Sequence, residues 1–291
     1  MSIGLKRIII IALGILAGAA AWPLMELVLS FQSLFPGYFI FSIVQGALFG
    51  LVLGLFFGSG EGLTSRNGKK LGHGLASGAA VGVIGGVVGF LFGQGVLFFI
   101  LDKTSNYLAV PVARGIGWAL LGLFVGAVDG IRVRSLRKTA IGALGGIIGG
   151  AAGGAAIELI RLHFSELLMI RAVGFILFGL LVGIGYAVAE RSFSFGILHV
   201  LNGPQRGREY SLSQSSFFVG TSSSNDISAE GYHDIEPRHI RFYSKRKELY
   251  IKDISGKAGT KVNEEPLRGE RLLKYEDVIQ VGSLKICYLT E

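Results

Sequence analysis

The chain has 291 residues, of which 51% are hydrophobic and only 16% are charged, and 45 of them are glycine. These proportions exclude an average soluble domain and indicate a membrane protein. The formal net charge of +8 divides into +7 up to Arg191 and +1 beyond it. The excess therefore lies in the hydrophobic part, where it sets membrane topology, and we expect no nucleic-acid partner.

Six apolar stretches are each long enough to cross about 30 Å of hydrocarbon as a helix. They cover residues 8–29, 38–57, 71–101, 110–131, 139–160 and 170–189. The first stretch resembles a signal peptide, because two basic residues precede it and its initial apolar run reaches three alanines at 19–21. Its length, and a repeat that it shares with the other stretches, favour a retained helix. We predict a polytopic α-helical membrane domain over residues 1–192.

The stretches repeat as three helical hairpins whose glycines stay in register, and every stretch carries at least one GxxxG pair. The pairs are Gly14 and Gly18, Gly50 and Gly54, Gly78 and Gly82, Gly122 and Gly126, Gly146 and Gly150, and Gly179 and Gly183. At this spacing both glycines lie on one helix face, where they let two backbones approach closely in lipid. Two interpretations remain open: tight helix packing, or glycine faces that line a pore or slide during gating.

Basic residues assign the two sides of the membrane. Ten of them fall at one set of helix ends, namely Lys6, Arg7, Arg66, Lys69, Lys70, Arg132, Arg134, Arg137, Lys138 and Arg191. The opposite ends hold four, namely Lys103, Arg114, Arg161 and Arg171. Because cytoplasmic loops are enriched in Lys and Arg, we predict an integral protein of the inner or plasma membrane with both termini in the cytoplasm.

Several ionisable residues lie inside the stretches or at their ends, where such groups are functional candidates by default. They are Glu26, Glu61, Arg114, Asp129, Glu158, Arg161, Arg171 and Glu190. Arg114 and Arg171 occupy equivalent positions of the repeat. Two interpretations apply to this pair: anchors that pair with Glu158 or Glu166, or an anion or substrate site.

Beyond Arg191 the pattern changes to short β-rich runs separated by turn residues. The runs cover residues 197–201, 217–219, 239–243, 249–251, 278–281 and 285–289. Among them lie Val219-Gly220, a polar loop from Thr221 to Ile227, and the motifs EPRHI at 236–240, IKDIS at 251–255, GTKVN at 259–263 and DVIQVG at 277–282. In this order the motifs resemble the forkhead-associated (FHA) family over residues 195–291.

The resemblance implies an all-β sandwich of eleven strands whose loops at one end read a short segment containing phosphothreonine. It also implies that His239 mainly holds loops together. Three positions depart from the family pattern: Thr221 replaces a phosphate-contacting arginine, Glu236 replaces a phosphate-binding serine, and Ala258 replaces an asparagine. An ionised Glu236 would repel a phosphate, so a degenerate site is expected. The degenerate loops comprise Gly220, Thr221, Glu236, Arg238, His239, Ala258, Gly259, Thr260 and Asn263.

Two functions fit this two-domain chain. The first is a membrane-anchored interaction module that presents the FHA-like domain to a cytoplasmic protein or peptide and does not need phosphate. The second is a channel or transporter with a regulatory FHA-like domain. No nucleophile and base stand at catalytic spacing, and the single Cys287 lacks a neighbouring metal ligand, so we expect no enzyme, cofactor or metal. The lipid bilayer is the other expected partner, and homo-oligomerisation is left open.

Overall fold

A computed structural model describes residues 1–65, 67–103, 109–163, 169–245, 248–256 and 259–290 of the chain. The chain forms two compact units, Arg7–Glu190 and Arg191–Glu291, and the second also includes Met1–Lys6. The N-terminal residues join it through Glu209, whose backbone N–H donates to the Met1 carbonyl at 3.2 Å and whose carboxylate accepts from the Ile3 N–H at 2.8 Å.

The described residues contain six long helices, as predicted. They are α1 (Ile3–Ser30), α2 (Tyr38–Ser65), α3 (Gly68–Lys103), α4 (Ala109–Arg132), α5 (Leu136–His163) and α6 (Ile170–Ser192). Each contains a segment long and apolar enough to cross a membrane. Side-chain caps fix two of the starts. Asn67 Oδ1 accepts hydrogen bonds from the Lys69 and Lys70 N–H groups at 3.0 and 3.1 Å, and Ser135 Oγ accepts from the Lys138 N–H at 3.3 Å.

Glycines form the contact between neighbouring helices. A Cβ atom built on Gly50 would overlap the carbonyl oxygen of Gly82, and one built on Gly54 would overlap that of Gly78. The same relation links Gly122 with Gly146, Gly126 with Gly142, and Gly14 with Gly179, while Gly18, Gly150 and Gly183 face the backbones of Phe175, Trp118 and Ile11. All twelve of the in-register glycines therefore face the backbone of another helix, which supports the packing interpretation.

Aromatic side chains fill the centre of the helical unit. Phe49 of α2 lies 4.9 Å from Phe175 and 5.3 Å from Trp118, measured between ring centroids, and Trp118 lies 4.8 Å from Phe178. Phe49 and Phe178 are fully buried. Phe49 and Trp118 meet edge-on and the other two pairs are tilted, and aromatic pairs favour such edge-on approaches over face-to-face stacking. Phe90 of α3 also belongs to this cluster, so four helices contribute to it. The aromatic side chains therefore fill the space between these helices.

The described part of the second unit contains eleven strands, the number that the resemblance implies. They are β1 (Ile197–Val200), β2 (Glu209–Ser211), β3 (Ser216–Gly220), β4 (Ile227–Ser228), β5 (Ile240–Lys245), β6 (Glu248–Asp253), β7 (Thr260–Val262), β8 (Glu265–Pro266), β9 (Glu270–Leu272), β10 (Val278–Val281) and β11 (Leu284–Leu289). The strand order is β2-β1-β11-β10-β7-β8 in one sheet and β4-β3-β5-β6-β9 in the other. All six predicted β runs lie at these strands, although His239 lies just before β5.

Alternation along the strands builds the core between the two sheets. Phe242 and Ile251 from the five-stranded sheet and Ile279 and Ile286 from the six-stranded sheet are fully buried in one cluster. Successive side chains of a strand point to opposite faces. The neighbours of the buried residues in β5 therefore lie on the outer face of the five-stranded sheet.

We predict that Gly82→Leu destabilises the helical unit, because the new side chain would meet the backbone of α2 at Gly50 and Gly54. Overpacking of this kind costs roughly 1–3 kcal/mol or more. The measurement is the yield of folded full-length protein in detergent and its melting temperature. Gly72→Leu is the matched control, since a Cβ at Gly72 in the same helix meets nothing within 4 Å. Equal yield and melting temperature for the two variants would contradict helix packing at Gly82.

Candidate functional site

The loop after β3 packs directly against the segment before β5. A Cβ on Gly220 would overlap the carbonyl oxygens of Glu236 and Pro237, so only glycine fits at this contact. The next two backbone N–H groups, of Thr221 and Ser222, donate to these same carbonyls at 3.0 and 3.2 Å. Asn225, which is 1% exposed, adds a side-chain hydrogen bond to the Pro237 carbonyl at 2.6 Å. Two loops of the predicted site are therefore joined to each other.

His239 is buried and connects the loops. Its ring Nδ1 accepts a hydrogen bond from the backbone N–H of Glu236 at 3.1 Å, and its own backbone N–H donates to the Val219 carbonyl at 2.9 Å. The other ring nitrogen, Nε2, lies 3.6 Å from Asp253 Oδ2. Because His239 is only 2% exposed, its ring is positioned to brace the loops rather than to contact a ligand in solution.

Asp253, at the end of β6, is the acceptor at the centre of this arrangement. Its carboxylate accepts hydrogen bonds from the Ser255 N–H at 2.9 Å, from Ser255 Oγ at 2.6 Å and from Thr260 Oγ1 at 2.5 Å. Burial opposes ionisation of this carboxyl group, but the hydrogen bonds from Ser255 and Thr260, together with His239, outweigh it and lower the pKa of Asp253. An ionised Asp253 therefore ties β6, β7 and His239 together.

The remaining site residues separate into two places. Thr260 is 4% exposed beside Asp253, and a Cβ on Gly259 would lie 3.7 Å from His239 Nε2, so both belong to the braced loops. Asn263 lies at the other end of β7, where its φ is +51° and its side chain donates to Asp277 Oδ1 at 2.7 Å and accepts from the Val278 N–H at 2.9 Å. Ala258 lies outside the described residues.

Glu236 and Arg238, the two charged residues of the EPRHI motif, differ in exposure. Thr221 and Glu236 are both half-buried, and they meet through their backbones. Arg238, the basic residue of the EPRHI motif, is exposed, and its Cζ lies 4.6 Å from the centre of the Phe218 ring. Its guanidinium group is therefore placed over the outer sheet face. Charge-assisted bonds, most effectively from arginine, carry phosphate recognition.

The helical unit has its own cluster of charged groups, which joins α2, α4 and α5. Glu61 forms an ion pair with Arg132, and Lys138 Nζ lies 3.9 Å from Glu61 and 3.8 Å from Asp129. Asp129 also accepts a hydrogen bond from the Tyr186 hydroxyl of α6 at 3.0 Å. A cavity of about 10 Å³, room for one water molecule, lies beside Asp129 and Tyr186. Buried charges in such a cluster are costly unless each has a partner.

Arg114 and Arg171 are both paired with carboxylates. Arg114 Nη1 lies 2.7 Å from Glu158 Oε1, one of the partners that the sequence predicts, and Glu158 is 3% exposed. Arg171 Nη1 lies 3.1 Å from Glu26 Oε2, a partner that the sequence analysis did not select. The pairing interpretation therefore holds for these two arginines, although the partner differs for Arg171. The Arg161 side chain and Glu166 lie outside the described part.

Sequence reasoning missed the role of Asp253 and the position of Arg238. Asp253 belongs to the IKDIS motif, but a motif does not show that one carboxylate gathers three hydrogen bonds from residues up to seven positions away. The alternation of β5 signals an outward-facing Arg241, whose Cζ lies 5.7 Å from the same Phe218 ring. The position of Arg238 over that ring could not be predicted in this way, because Arg238 lies before β5 and outside its alternating pattern.

Residues 199–291 match the family described as the cytoplasmic domain of an inner membrane component of T3SS. This range coincides with the β-sandwich and includes both braced loops. Together, the eleven-stranded sandwich and the family match confirm that the C-terminal part resembles the FHA family.

Curated relatives match the same part of the chain. An oxoglutarate dehydrogenase inhibitor of Corynebacterium efficiens is 30% identical over 93 residues, which are 32% of this chain and 64% of that protein. The glycogen accumulation regulator GarA of Mycobacterium tuberculosis is 29% identical over 94 residues, which are 32% of this chain and 57% of that protein. The chain thus spans less than two thirds of the length of either relative.

Solved FHA domains are also similar to the sandwich. The FHA domain of CT664 from Chlamydia trachomatis has 19% identity and a TM-score of 0.30, with 33% of this chain and 96% of that chain covered. The FhaA FHA domain, solved in complex with the intracellular domain of Rv3910, has 25% identity and a TM-score of 0.29, with 32% and 97% covered.

Proposed function

We propose that this chain is a membrane-anchored interaction module, which presents its FHA-like domain to a cytoplasmic protein partner without requiring phosphothreonine. The observation that carries the proposal is the loop end of the sandwich. Its loops are braced by His239 and Asp253 as a binding platform would need, yet Thr221 and Glu236 stand at the phosphate positions. The family match adds support, since its description places such a domain on the cytoplasmic side of an inner membrane component.

The helical unit supports the role of an anchor. Aromatic side chains from four helices fill its centre, and the glycine faces contact other backbones instead of an open passage. Interfaces of small residues hold membrane helices together where lipid provides no hydrophobic drive. Six such helices give the FHA-like domain a permanent attachment to the membrane.

A channel or transporter with a regulatory FHA-like domain is the second candidate. One observation favours it: Glu61, Asp129, Arg132 and Lys138 form a largely buried charged cluster near one set of helix ends, and ionisable groups in membrane helices are functional candidates by default. The aromatic centre opposes it, because a solute path would require Phe49, Trp118 and Phe178 to separate.

The proposed function predicts a protein partner that survives removal of phosphate. Full-length chain in detergent serves as bait in lysate that has or has not been treated with phosphatase, and a chain that ends at Ser192 is the control. The same partner should be retained from both lysates and should be lost with the control. Loss of every partner after phosphatase treatment would contradict the phosphate-independent proposal.

We further predict that the natural domain binds phosphothreonine peptides weakly or not at all, and that Thr221→Arg with Glu236→Ser creates measurable affinity. Each charge-assisted hydrogen bond contributes roughly 1.5–3 kcal/mol, and about 1.4 kcal/mol is a tenfold change in affinity. The measurement is calorimetric titration with a phosphothreonine peptide library. Glu236→Gln alone is the control, since it removes the repulsion without supplying a donor. Micromolar binding by the natural domain would refute the degenerate-site hypothesis.

Both termini are proposed to be cytoplasmic, on the basis of the ten basic residues at one set of helix ends against four at the other. A reporter that is active only outside the cytoplasm should be silent when fused after Glu291. The same reporter should be active when inserted at Gly37, in the exposed loop between α1 and α2. The opposite pair of results would overturn the topology.

A further inference from the structure

The outer face of the five-stranded sheet carries a continuous row of aromatic and basic side chains. We name this row the outer ladder, and it consists of Arg238, Phe218, Arg241, Tyr243, Tyr250 and Lys245. The strand register brings its members together, because Phe218 lies opposite Arg241 and Tyr243 lies opposite Tyr250. Residues opposite each other on adjacent strands are the pairs that interact most strongly across a sheet.

Cation–π contacts link the members of the outer ladder. The Cζ atoms of Arg238 and Arg241 lie 4.6 and 5.7 Å from the centre of the Phe218 ring, and Arg241 also lies 5.4 Å from the Tyr243 ring. Tyr243 stacks on Tyr250 with ring centres 5.8 Å apart, and Lys245 Nζ lies 5.9 Å from the Tyr250 ring. Contacts of this type are favourable at exposed sites.

The two arginines are held in place before any ligand arrives. Arg241 Nε donates a hydrogen bond to Ser216 Oγ at 2.7 Å, which fixes the plane of a guanidinium group that already contacts two rings. Arg238 is exposed and lies over the Phe218 ring. A side chain that is already ordered loses less entropy on binding, and arginine and tyrosine are among the residues that dominate binding energy at protein interfaces.

Charge on this face is unevenly distributed. Among the residues that the structure describes, no carboxylate lies within ion-pair distance of Arg238 or Arg241. Arg241 instead lies opposite Lys252 across the β5–β6 pair, and like charges in that position destabilise a sheet. The carboxylates of the face lie toward β6 and β9, where Glu270 Oε1 is 3.6 Å from Lys252 Nζ and Glu248 accepts a hydrogen bond from the Tyr250 hydroxyl at 3.0 Å. Arg238 and Arg241 therefore carry positive charge on the β3–β5 half without an ion-pair partner among the described residues, while Glu270 lies near the Tyr243 hydroxyl.

We propose that the β3–β5 half of this face binds an acidic segment of the protein partner, an inference that rests on the proposed function. Arg238 and Arg241 pair with carboxylates of the segment, and the rings of Phe218 and Tyr243 pack against its apolar atoms. Charge complementarity selects this occupant. A flat anionic membrane fits less well, because the exposed Glu248 and Glu270 on the same face would be pressed against lipid phosphates.

The test uses the full chain in nanodiscs of neutral phosphatidylcholine and a short fluorescent peptide of alternating glutamate and serine. A peptide with glutamine in place of each glutamate is the charge control. We expect the glutamate peptide to bind and the glutamine peptide not to bind. Arg238→Gln and Arg241→Gln should each weaken binding about tenfold, as the loss of one charge-assisted bond predicts. Lys285→Gln, which removes an exposed charge from the six-stranded sheet, should leave the affinity unchanged.

Each of these binding results would overturn the proposal: no effect of either arginine substitution, an equal loss with Lys285→Gln, or binding of phosphatidylserine vesicles through Arg238 and Arg241 in the absence of peptide binding. The melting temperature of each variant verifies that it is folded. Partner capture by the Arg238→Gln/Arg241→Gln double variant separates this inference from the proposed function. Undiminished capture by that variant would leave the proposed function standing and would refute this surface as the site.

Discussion

Direct contact between helix backbones is the interaction on which the helical unit depends. Wherever Gly50 meets Gly82, or Gly122 meets Gly146, no side chain separates the two helices, and each carbonyl oxygen lies against the glycine of its neighbour. Such approach allows weak Cα–H···O bonds and dispersion contacts that do not depend on water. Because the helices lie this close together, their large side chains meet at one centre. Phe49, Trp118 and Phe178 fill it.

The sandwich depends on side-chain hydrogen bonds instead, because polar loops at the end of its core must be held in place. It holds them by gathering donors around Asp253 and by using the ring of His239 as a link to the Glu236 backbone. This bracing is independent of the side chains that would contact a phosphate. The chain can therefore keep the architecture of an FHA-like domain whichever side chains stand at positions 221 and 236.

A structural element could be predicted from the sequence when its residue pattern extends over enough consecutive positions. Helices of more than twenty residues and strands such as β5 and β11 leave long apolar or alternating patterns, and all were predicted. Strands of two or three residues, such as β4 and β8, are too short to show a period, and only the family resemblance implied them. The glycine pattern predicted the contacting faces but not their pairing, because the α2–α3 and α4–α5 contacts run between the repeated hairpins. Arg171 finds Glu26 across 145 positions of sequence, and no local pattern encodes that separation.

The charged cluster at Glu61 has a consequence for the biogenesis of the chain. Glu61 is synthesised before Arg132 and Lys138. Helix α2 therefore leaves the ribosome before the two cations that neutralise the Glu61 carboxylate in the folded helical unit. Lys70, at the start of α3 and 3.4 Å from Glu61, is made before Arg132 and Lys138. An early α2–α3 hairpin, closed by its glycines, would already hold this carboxylate in an ion pair at the helix ends. Arg132 of α4 and Lys138 of α5 would then pair with Glu61 as their helices are added. The charge of Glu61 would therefore be neutralised in the same order as the helices are inserted.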